Sequence, residues 1–193
     1  MKALRVISIG LVLVTMLYAD LFAQKDLVIS GGNAVSSFVC ANRKVYVWGN
    51  NKTTKGTGLL GSGSPQPVTI PIVAPDTQSP DIKQINSGSG SHFVALDCYG
   101  RPWAWGNNSL GQVGNGAAAG QDGFVTTPTR VKALTEIDAA HKDASNQLIN
   151  VAVVYAGNNT RFAILDNGDL VAWGTNGTGF DIQGYDDAYG QLG

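Results

Sequence analysis

The chain has 193 residues, of which 25 are glycine, 44% are hydrophobic and 14% are charged. The hydrophobic share excludes a disordered chain, and the glycine share favours many short strands and tight turns over a helical fold. The formal net charge of −1 offers no electrostatic basis for binding nucleic acid or an anionic membrane, so neither is an expected partner.

The first 23 residues predict a secretory signal peptide. Lys2 and Arg5 precede an apolar run over residues 6–18, and the small residues Ala19 and Ala23 follow. This order is typical of an export signal, with cleavage expected after Ala23. A membrane anchor is disfavoured because the apolar run is shorter than the roughly 20 residues that a spanning helix needs. We therefore expect a secreted, periplasmic or cell-surface protein with no membrane span after cleavage.

A motif occurs three times in residues 24–193. Each copy has an apolar strand, a turn and a second strand that ends in Trp-Gly, at Trp48-Gly49, Trp105-Gly106 and Trp173-Gly174. The Trp-Gly pairs are 57 and 68 residues apart, which predicts a radially repeated all-β fold with units at about 30–80, 81–150 and 151–193. Since the tryptophans recur at one position, we expect them to pack between units rather than to stack on a ligand.

The three copies can be aligned on a shared phenylalanine: Phe38, Phe93 and Phe162. This alignment places Ser37 and Arg161 at the position of His92. It also makes the first hairpin turn two residues shorter than the second, which the tip of a hairpin tolerates. A polar connection over residues 133–150 is expected to hold a short helical turn around Ile137–Asp143.

A glycine-rich tail follows the second Trp-Gly pair and includes Gly111, Gln112 and Gly114. The pattern Trp-Gly-x-Asn-x-x-Gly-Gln-(Leu/Val)-Gly, with His-x-x-Ala-Leu before it, resembles the repeat of the regulator of chromosome condensation. Residues 92–96 and 105–114 match this repeat closely, and the third copy matches at Trp173-Gly174 and in residues 190–193. The resemblance covers about residues 30–193.

The resemblance implies an all-β, seven-bladed β-propeller, for which repeats of this length would need about 400 residues. About three of the seven repeats are present, so we expect a sequence that is incomplete at its C-terminus. The alternative is a short chain that closes its ring by oligomerisation, because an open stack leaves strand edges exposed.

The resemblance also guides the expected function. Similar exported bacterial propellers include a β-lactamase inhibitor protein, whereas nuclear relatives are exchange factors for a small GTPase on chromatin. The signal peptide and the acidic balance favour the bacterial, exported type. We expect a non-catalytic interaction module that binds an unknown protein or glycan. The alternatives are scaffold repeats of a larger adhesin or cell-wall-associated protein, a guanine-nucleotide exchange factor, which is less favoured, and an enzyme domain fused beyond Gly193.

No catalytic, cofactor-binding or metal-binding residue is expected. The two histidines, His92 and His141, lie in a strand and in a polar connection, which does not suggest a Ser-His-Asp arrangement. The glycine-rich tail lacks the Lys-Ser/Thr of a phosphate-binding loop. The segment 181–187 has three carboxylates but not the alternating spacing of a calcium loop.

Cys40 and Cys98 fall at non-equivalent positions of the repeat, so two free thiols are expected. Phe180 and Tyr185 are the candidate partner-binding residues. They lie in an insertion over residues 178–188 of the third glycine-rich tail. Tyrosine is enriched at interfaces because its ring is large and amphipathic. The alternative is that Phe180 folds back onto its own repeat.

Overall fold

The computed structural model describes residues 29–32, 35–49, 61–62, 66–72, 76–89, 91–117, 123–134 and 137–174. Within these ranges the strands form three sheets that follow one another along the chain. Phe180, Tyr185 and residues 1–23 lie outside the described residues.

The first sheet has the order β1-β2-β3-β4, with β5 also paired to β3. Its strands are β1 (Ile29–Gly31), β2 (Val35–Val39), β3 (Val45–Gly49), β4 (Gly61–Ser62) and β5 (Gln66–Val68). The β3–β4 pair is parallel, and the remaining pairs are antiparallel.

The second and third sheets are antiparallel meanders of four and three described strands. The second sheet consists of β6 (Ile82–Gly88), β7 (His92–Asp97), β8 (Pro102–Asn107) and β9 (Phe124–Arg130). The third consists of β10 (Val151–Ala156), β11 (Thr160–Leu165) and β12 (Leu170–Gly174). A 3₁₀ helix, η1 (Ala139–His141), lies between them, within the segment where a helical turn was expected, and the Asp138 side chain caps its N-terminus.

The central hairpins of the three sheets have the same length, which corrects the alignment on phenylalanine. The strand partners of Trp48, Trp105 and Trp173 are Ser36, Phe93 and Arg161, each twelve residues earlier in the chain. His92 pairs with Gly106, so its counterparts are Val35 and Thr160 rather than Ser37 and Arg161. The error matters because a shift of one residue moves a side chain to the opposite face of the strand.

Each of these hairpins turns through a residue in the left-handed conformation. Gly100 and Gly168 have φ values of 75° and 94°, and Arg43 has φ 62° at the same position of the first hairpin. The carbonyl of this residue then accepts a hydrogen bond from the next sheet: Ile82 N–H donates to Arg43 at 3.3 Å, and Val151 N–H donates to Gly100 at 2.9 Å. The turn therefore links successive sheets.

Glycines also allow the sheets to approach closely at the opposite strand end. Gly32, Gly88 and Gly157 occupy equivalent positions, opposite or next to the start of the following strand. A Cβ on Gly32 would collide with the Gly88 carbonyl, and one on Gly88 would lie 2.6 Å from the Gly157 carbonyl oxygen and collide with the His92 ring. A side chain at either position would force the sheets apart.

Two apolar cores lie between the sheets. The first interface, between the first and second sheets, contains Val35, Val39, Val45, Val47, Ile85, Phe93, Ala95, Trp103 and Trp105. The second interface, between the second and third sheets, contains Val94, Leu96, Ala104, Val113, Leu148, Val154, Ala163, Val171 and Trp173. Successive residues of β7 thus alternate between the two cores, because neighbouring side chains of a strand point to opposite faces.

Candidate functional site

The repeated tryptophans occupy one structural position but differ in burial. Trp105 and Trp173 are buried in the first and second interfaces, each on the face of its sheet that meets the preceding sheet. Trp48 lies on the face of β3 opposite to Val47 and is half-buried, in edge contact with Phe38 at 5.9 Å between ring centroids. The glycines that follow, Gly49, Gly106 and Gly174, all have positive φ and end their strands.

The glycine-rich tail of the second repeat is a rigid loop at the second interface. Asn108 Oδ1 accepts a bond from Val113 N–H at 2.8 Å, and Gln112 Oε1 accepts one from Leu110 N–H at 2.9 Å. The Gln112 carbonyl accepts the indole N–H of Trp173 at 3.1 Å. Gly111 and Gly114 supply two turns with positive φ within the loop. The loop therefore joins the two sheets.

A surface cavity of about 360 Å³ opens where the β7–β8 turn meets the connection from the first sheet. It is lined by Asp76, Thr77, Gln78, Ser79, Pro80, Asp81, Cys98 and Tyr99. Cys98 N–H donates to the Asp81 carbonyl at 2.8 Å, which joins the two walls. This cavity is the candidate binding site.

A buried carboxylate lies behind the cavity and organises the turn. Asp97 is fully buried and accepts four hydrogen bonds. Its Oδ1 accepts the backbone N–H groups of Tyr99 and Arg101, both at 2.9 Å. Its Oδ2 accepts Arg101 Nε at 2.6 Å and Trp103 Nε1 at 3.0 Å. Because every strong acceptor position is used, the turn has little freedom to change shape.

Arg101 connects this network to the cavity wall. Its Nη2 binds Asp76 at 2.5 Å, and its guanidinium lies 4.6 Å from the centre of the Tyr99 ring. Burial opposes the charge of Arg101, but the hydrogen bonds that the guanidinium donates to Asp76 and Asp97 outweigh it and raise the pKa of the guanidinium. The fixed Arg101 cation therefore packs against the Tyr99 ring, while 61% of the tyrosine is exposed to solvent.

Both cysteines are free: Cys40 is half-buried, and Cys98 is exposed at the cavity wall. Partial burial, followed by the charges of Asp97 and Asp81, raises the pKa of the Cys98 thiol. A raised pKa keeps the thiol protonated at neutral pH, and the thiolate is the nucleophilic form. The Cys98 thiol is therefore less nucleophilic at neutral pH than an ordinary exposed cysteine.

His141 forms a second cluster of ionisable side chains, beside the third sheet. Its Nδ1 binds Asp138 and its Nε2 binds Asp166, both at 2.8 Å, and its side chain is 6% exposed. The hydrogen bond to Asp166, followed by that to Asp138, raises the pKa of the imidazole. Asp166 lies in the β11–β12 turn, so the cluster fastens the connection between the sheets to the third sheet.

The cavity residues were not identified from the sequence, although a signal existed. Backbone pairing in the three hairpin turns makes Asp97 equivalent to Cys40 and Leu165. A carboxylate that replaces an apolar or neutral residue at a repeated, buried position departs from what packing alone requires. The alignment on phenylalanine hid this departure because it shifted the third copy by one residue.

Among the described residues, no group of three or more His, Cys, Asp and Glu side chains is placed to hold a metal ion. The same residues contain no helix with the length and apolar character needed to span a membrane.

No protein-family model matches the chain. The chain is 28% identical over 120 residues to the E3 ubiquitin-protein ligase HERC2 of Homo sapiens, covering 62% of this chain and 2% of HERC2. It is 31% identical over 139 residues to Protein pim1 of Schizosaccharomyces pombe, covering 68% of this chain and 22% of pim1. The chain therefore spans less than a quarter of either relative.

The solved structure of Prp20p from Saccharomyces cerevisiae resembles this chain with a TM-score of 0.56 at 22% identity. The match covers 77% of this chain and 30% of Prp20p. The same yeast protein, described as RCC1 (Prp20) and crystallised with Kap60, gives a TM-score of 0.55.

Proposed function

We propose that this chain, whose repeats fold as blades of a β-propeller like that of the regulator of chromosome condensation, is part of an exported, non-catalytic protein-binding module. The blades form a rigid scaffold, and the turns and connections of the blades bind the partner. Fold alone does not determine a partner, so the proposal rests on the surface that the turns present.

The single observation that supports binding most directly is the display of Tyr99 at the rim of the cavity. An exposed tyrosine held on a fixed arginine requires little ordering when a partner arrives, and tyrosine and arginine dominate the binding energy of many interfaces. Asp81 is exposed beside it, whereas Asp76 is already bound to Arg101. A basic side chain of a partner could lie over the Tyr99 ring and bind the Asp81 carboxylate.

The similarities agree with an interaction role. The structure of Prp20p is described together with its binding to Gsp1p and histones. A repeat protein of this kind presents extended surfaces that different members use for different partners. The export signal that the sequence predicts, with Lys2, Arg5 and a cleavage site after Ala23, separates this chain from the nuclear setting and favours a partner outside the cell or in the periplasm.

Export is tested by mass spectrometry of the protein recovered from the extracellular or periplasmic fraction. We expect the mature chain to begin at or near Gln24. An intact Met1 on a soluble cytoplasmic product would contradict export and leave only the binding role.

Binding is tested by capturing partners from neighbouring cells or host extracts with the full-length protein. Tyr99→Ala should reduce recovery of the partner, and Asp81→Asn should weaken recovery and reduce its dependence on salt. Tyr155→Ala is the matched control, since Tyr155 is 50% exposed on the third sheet and does not line the cavity. Tyr185→Ala and Phe180→Ala test the candidate loop in the same assay. Unchanged recovery in all of the cavity and loop variants would refute the proposed surfaces, and turnover of a substrate by the purified protein would refute the non-catalytic role.

A further inference from the structure

The second interface buries two polar side chains, several of whose nitrogen atoms have no hydrogen-bond partner in the described part of the chain. Arg161 and His92 are both fully buried. Within the described residues, Nε and Nη2 of Arg161 and both ring nitrogens of His92 have no hydrogen-bond partner. Buried polar groups are paired in more than about nine cases in ten, so four unpaired nitrogens in one interface call for an explanation.

The two side chains come from opposite walls of this interface. His92 alternates with Val94 and Leu96 along β7, and these residues face the third sheet. Arg161 pairs directly across the hairpin with Trp173, which faces the second sheet. Directly opposite side chains of a hairpin share a face, so Arg161 points towards the wall that carries His92.

The two side chains also lie at the same end of the interface. His92 is the first residue of β7, and Arg161 is the second of β11. The position of a Cβ on Gly88 would touch both the His92 ring and, at 2.6 Å, the Gly157 carbonyl oxygen. Gly157 N–H in turn binds the Thr160 carbonyl at 2.8 Å, and that carbonyl also accepts Arg161 Nη1 at 3.3 Å.

The charge of Arg161 is not compensated within the described part of the chain. Burial alone lowers the pKa of the guanidinium, with no contribution from a nearby carboxylate. Five described carboxylates are engaged elsewhere: Asp76 and Asp97 with Arg101, Asp143 with Arg130, and Asp138 and Asp166 with His141. The other two, Asp81 and Asp169, are exposed to solvent, whereas Arg161 is fully buried. Arginine keeps its proton in proteins, so a buried guanidinium requires a counter-ion.

We propose that the second interface binds a small anion between Arg161 and His92. Arg161 Nε and Nη2 present two parallel N–H donors, the arrangement that suits a carboxylate-like oxyanion or a halide. His92 supplies a further N–H from the opposite wall. Because the sheets approach closely at Gly88, we expect the site to take only an ion as small as chloride or formate. The bound ion neutralises the arginine and connects the two sheets.

The experiment measures thermal unfolding of the full-length protein as chloride replaces gluconate at constant ionic strength. An ion that binds only the folded state raises the midpoint as its concentration rises, by roughly 4 °C or more at thirty times its Kd. A parallel series in formate distinguishes a carboxylate site from a halide site. Arg161→Met removes the charge at similar volume and should abolish the dependence of the unfolding midpoint on anion concentration. His92→Leu should weaken this dependence several-fold. Lys132→Met, which removes an exposed cation, should leave it unchanged.

A wild-type midpoint that is the same in gluconate, chloride and formate would overturn the proposal, as would an Arg161→Met protein that keeps the full dependence. If Arg161→Met does not fold, the anion series on the wild-type protein and on His92→Leu still tests the proposal. Broadening of the chloride NMR signal by the wild-type protein, reversed by bromide, is the direct observation of binding.

Discussion

The two interfaces between the sheets use the same repeat positions in different ways. The residue paired with the buried tryptophan is Phe93 at the first interface and Arg161 at the second. Phe93 stacks on Trp105 with 5.3 Å between ring centroids, whereas Arg161 is a buried cation beside Trp173. The first interface is held mainly by apolar packing, and the second combines a comparable apolar core with charge.

Polar contacts across the sheets follow the same division. At the first interface, the buried hydroxyls of Ser37 and Ser87 bond to each other at 2.7 Å. At the second, the Gln84 amide binds the backbone of Val154 through both Nε2 and Oε1, at 2.7 and 3.1 Å, in addition to the Trp173 indole bond to Gln112. Hydrogen bonds form only when donor and acceptor have the correct geometry. The second interface therefore fixes the relative position of its two sheets more strictly than the first interface, which depends mainly on apolar packing.

The largest expected effect is the loss of apolar packing at the first interface. Trp105→Ala should reduce the free energy of unfolding by about 3–5 kcal/mol, because it removes a fully buried ring and leaves a cavity. Since each sheet contacts mainly its neighbours, the loss should extend to the first sheet. The free energy of unfolding of both proteins is measured by urea unfolding with a fluorescence readout. A change no larger than that of an exposed substitution would show that this interface does not depend on the tryptophan.

Arg161→Phe tests whether an aromatic ring beside Trp173 can stabilise the second interface as Phe93 beside Trp105 stabilises the first. Replacing a buried, unpaired cation by an aromatic ring of similar size should raise the free energy of unfolding by about 1–2 kcal/mol at low anion concentration. The reciprocal variant, Phe93→Arg, should be strongly destabilising, because it places an uncompensated charge against Trp105. Both are measured in gluconate buffer. A destabilised Arg161→Phe protein under these conditions would mean that Arg161 has favourable partners inside the interface.

His141→Gln should show an effect that depends on pH. The pKa of His141 is raised by Asp166 and Asp138, so its stabilising contribution is complete below the ordinary histidine value and is lost as pH rises through the raised one. The pKa of Asp138 is lowered, chiefly by the hydrogen bond from His141, so its contribution is lost as pH falls through the lowered value. The wild-type advantage should therefore be largest at about pH 5–6 and should shrink in alkaline solution.

Unfolding of wild type and His141→Gln is compared in urea at several pH values across this range. A difference between the two proteins that is constant from acidic to alkaline pH would show that the histidine acts through packing alone.

The repeat and the all-β class were predicted correctly because glycine, Trp-Gly and turn residues carry local information. The propeller class followed from the resemblance to the repeat of the regulator of chromosome condensation, and the short helical turn was found at η1. The strand register was wrong, because identical phenylalanines at 93 and 162 suggested an equivalence that the hairpin geometry contradicts. The cavity at Tyr99 and the pairing of His141 with Asp166 depend on segments that are distant in sequence. The sequence signal for the cavity was Asp97 at a repeated, buried position, and the alignment on phenylalanine hid it.

The smallest expected effect concerns the turn that links each sheet to the next. At equivalent positions, Gly100 bonds to Val151 at 2.9 Å and Arg43 bonds to Ile82 at 3.3 Å. A side chain in the left-handed conformation costs about 1–2 kcal/mol, whereas glycine costs about 0.5–1 kcal/mol in additional backbone entropy. Arg43→Gly should therefore stabilise the protein by about 0.5 kcal/mol, the net of these two terms.

Gly100→Ala is the matched opposite change. A Cβ there would lie 3.2 Å from the Val151 carbonyl oxygen in a backbone with φ 75°, so this variant should be less stable by about 1–2 kcal/mol. Urea unfolding of both variants compares the linking turns of the two interfaces. If Arg43→Gly is destabilising, the Arg43 side chain contributes contacts that outweigh its backbone strain, and the first interface then depends on a polar side chain as the second one does.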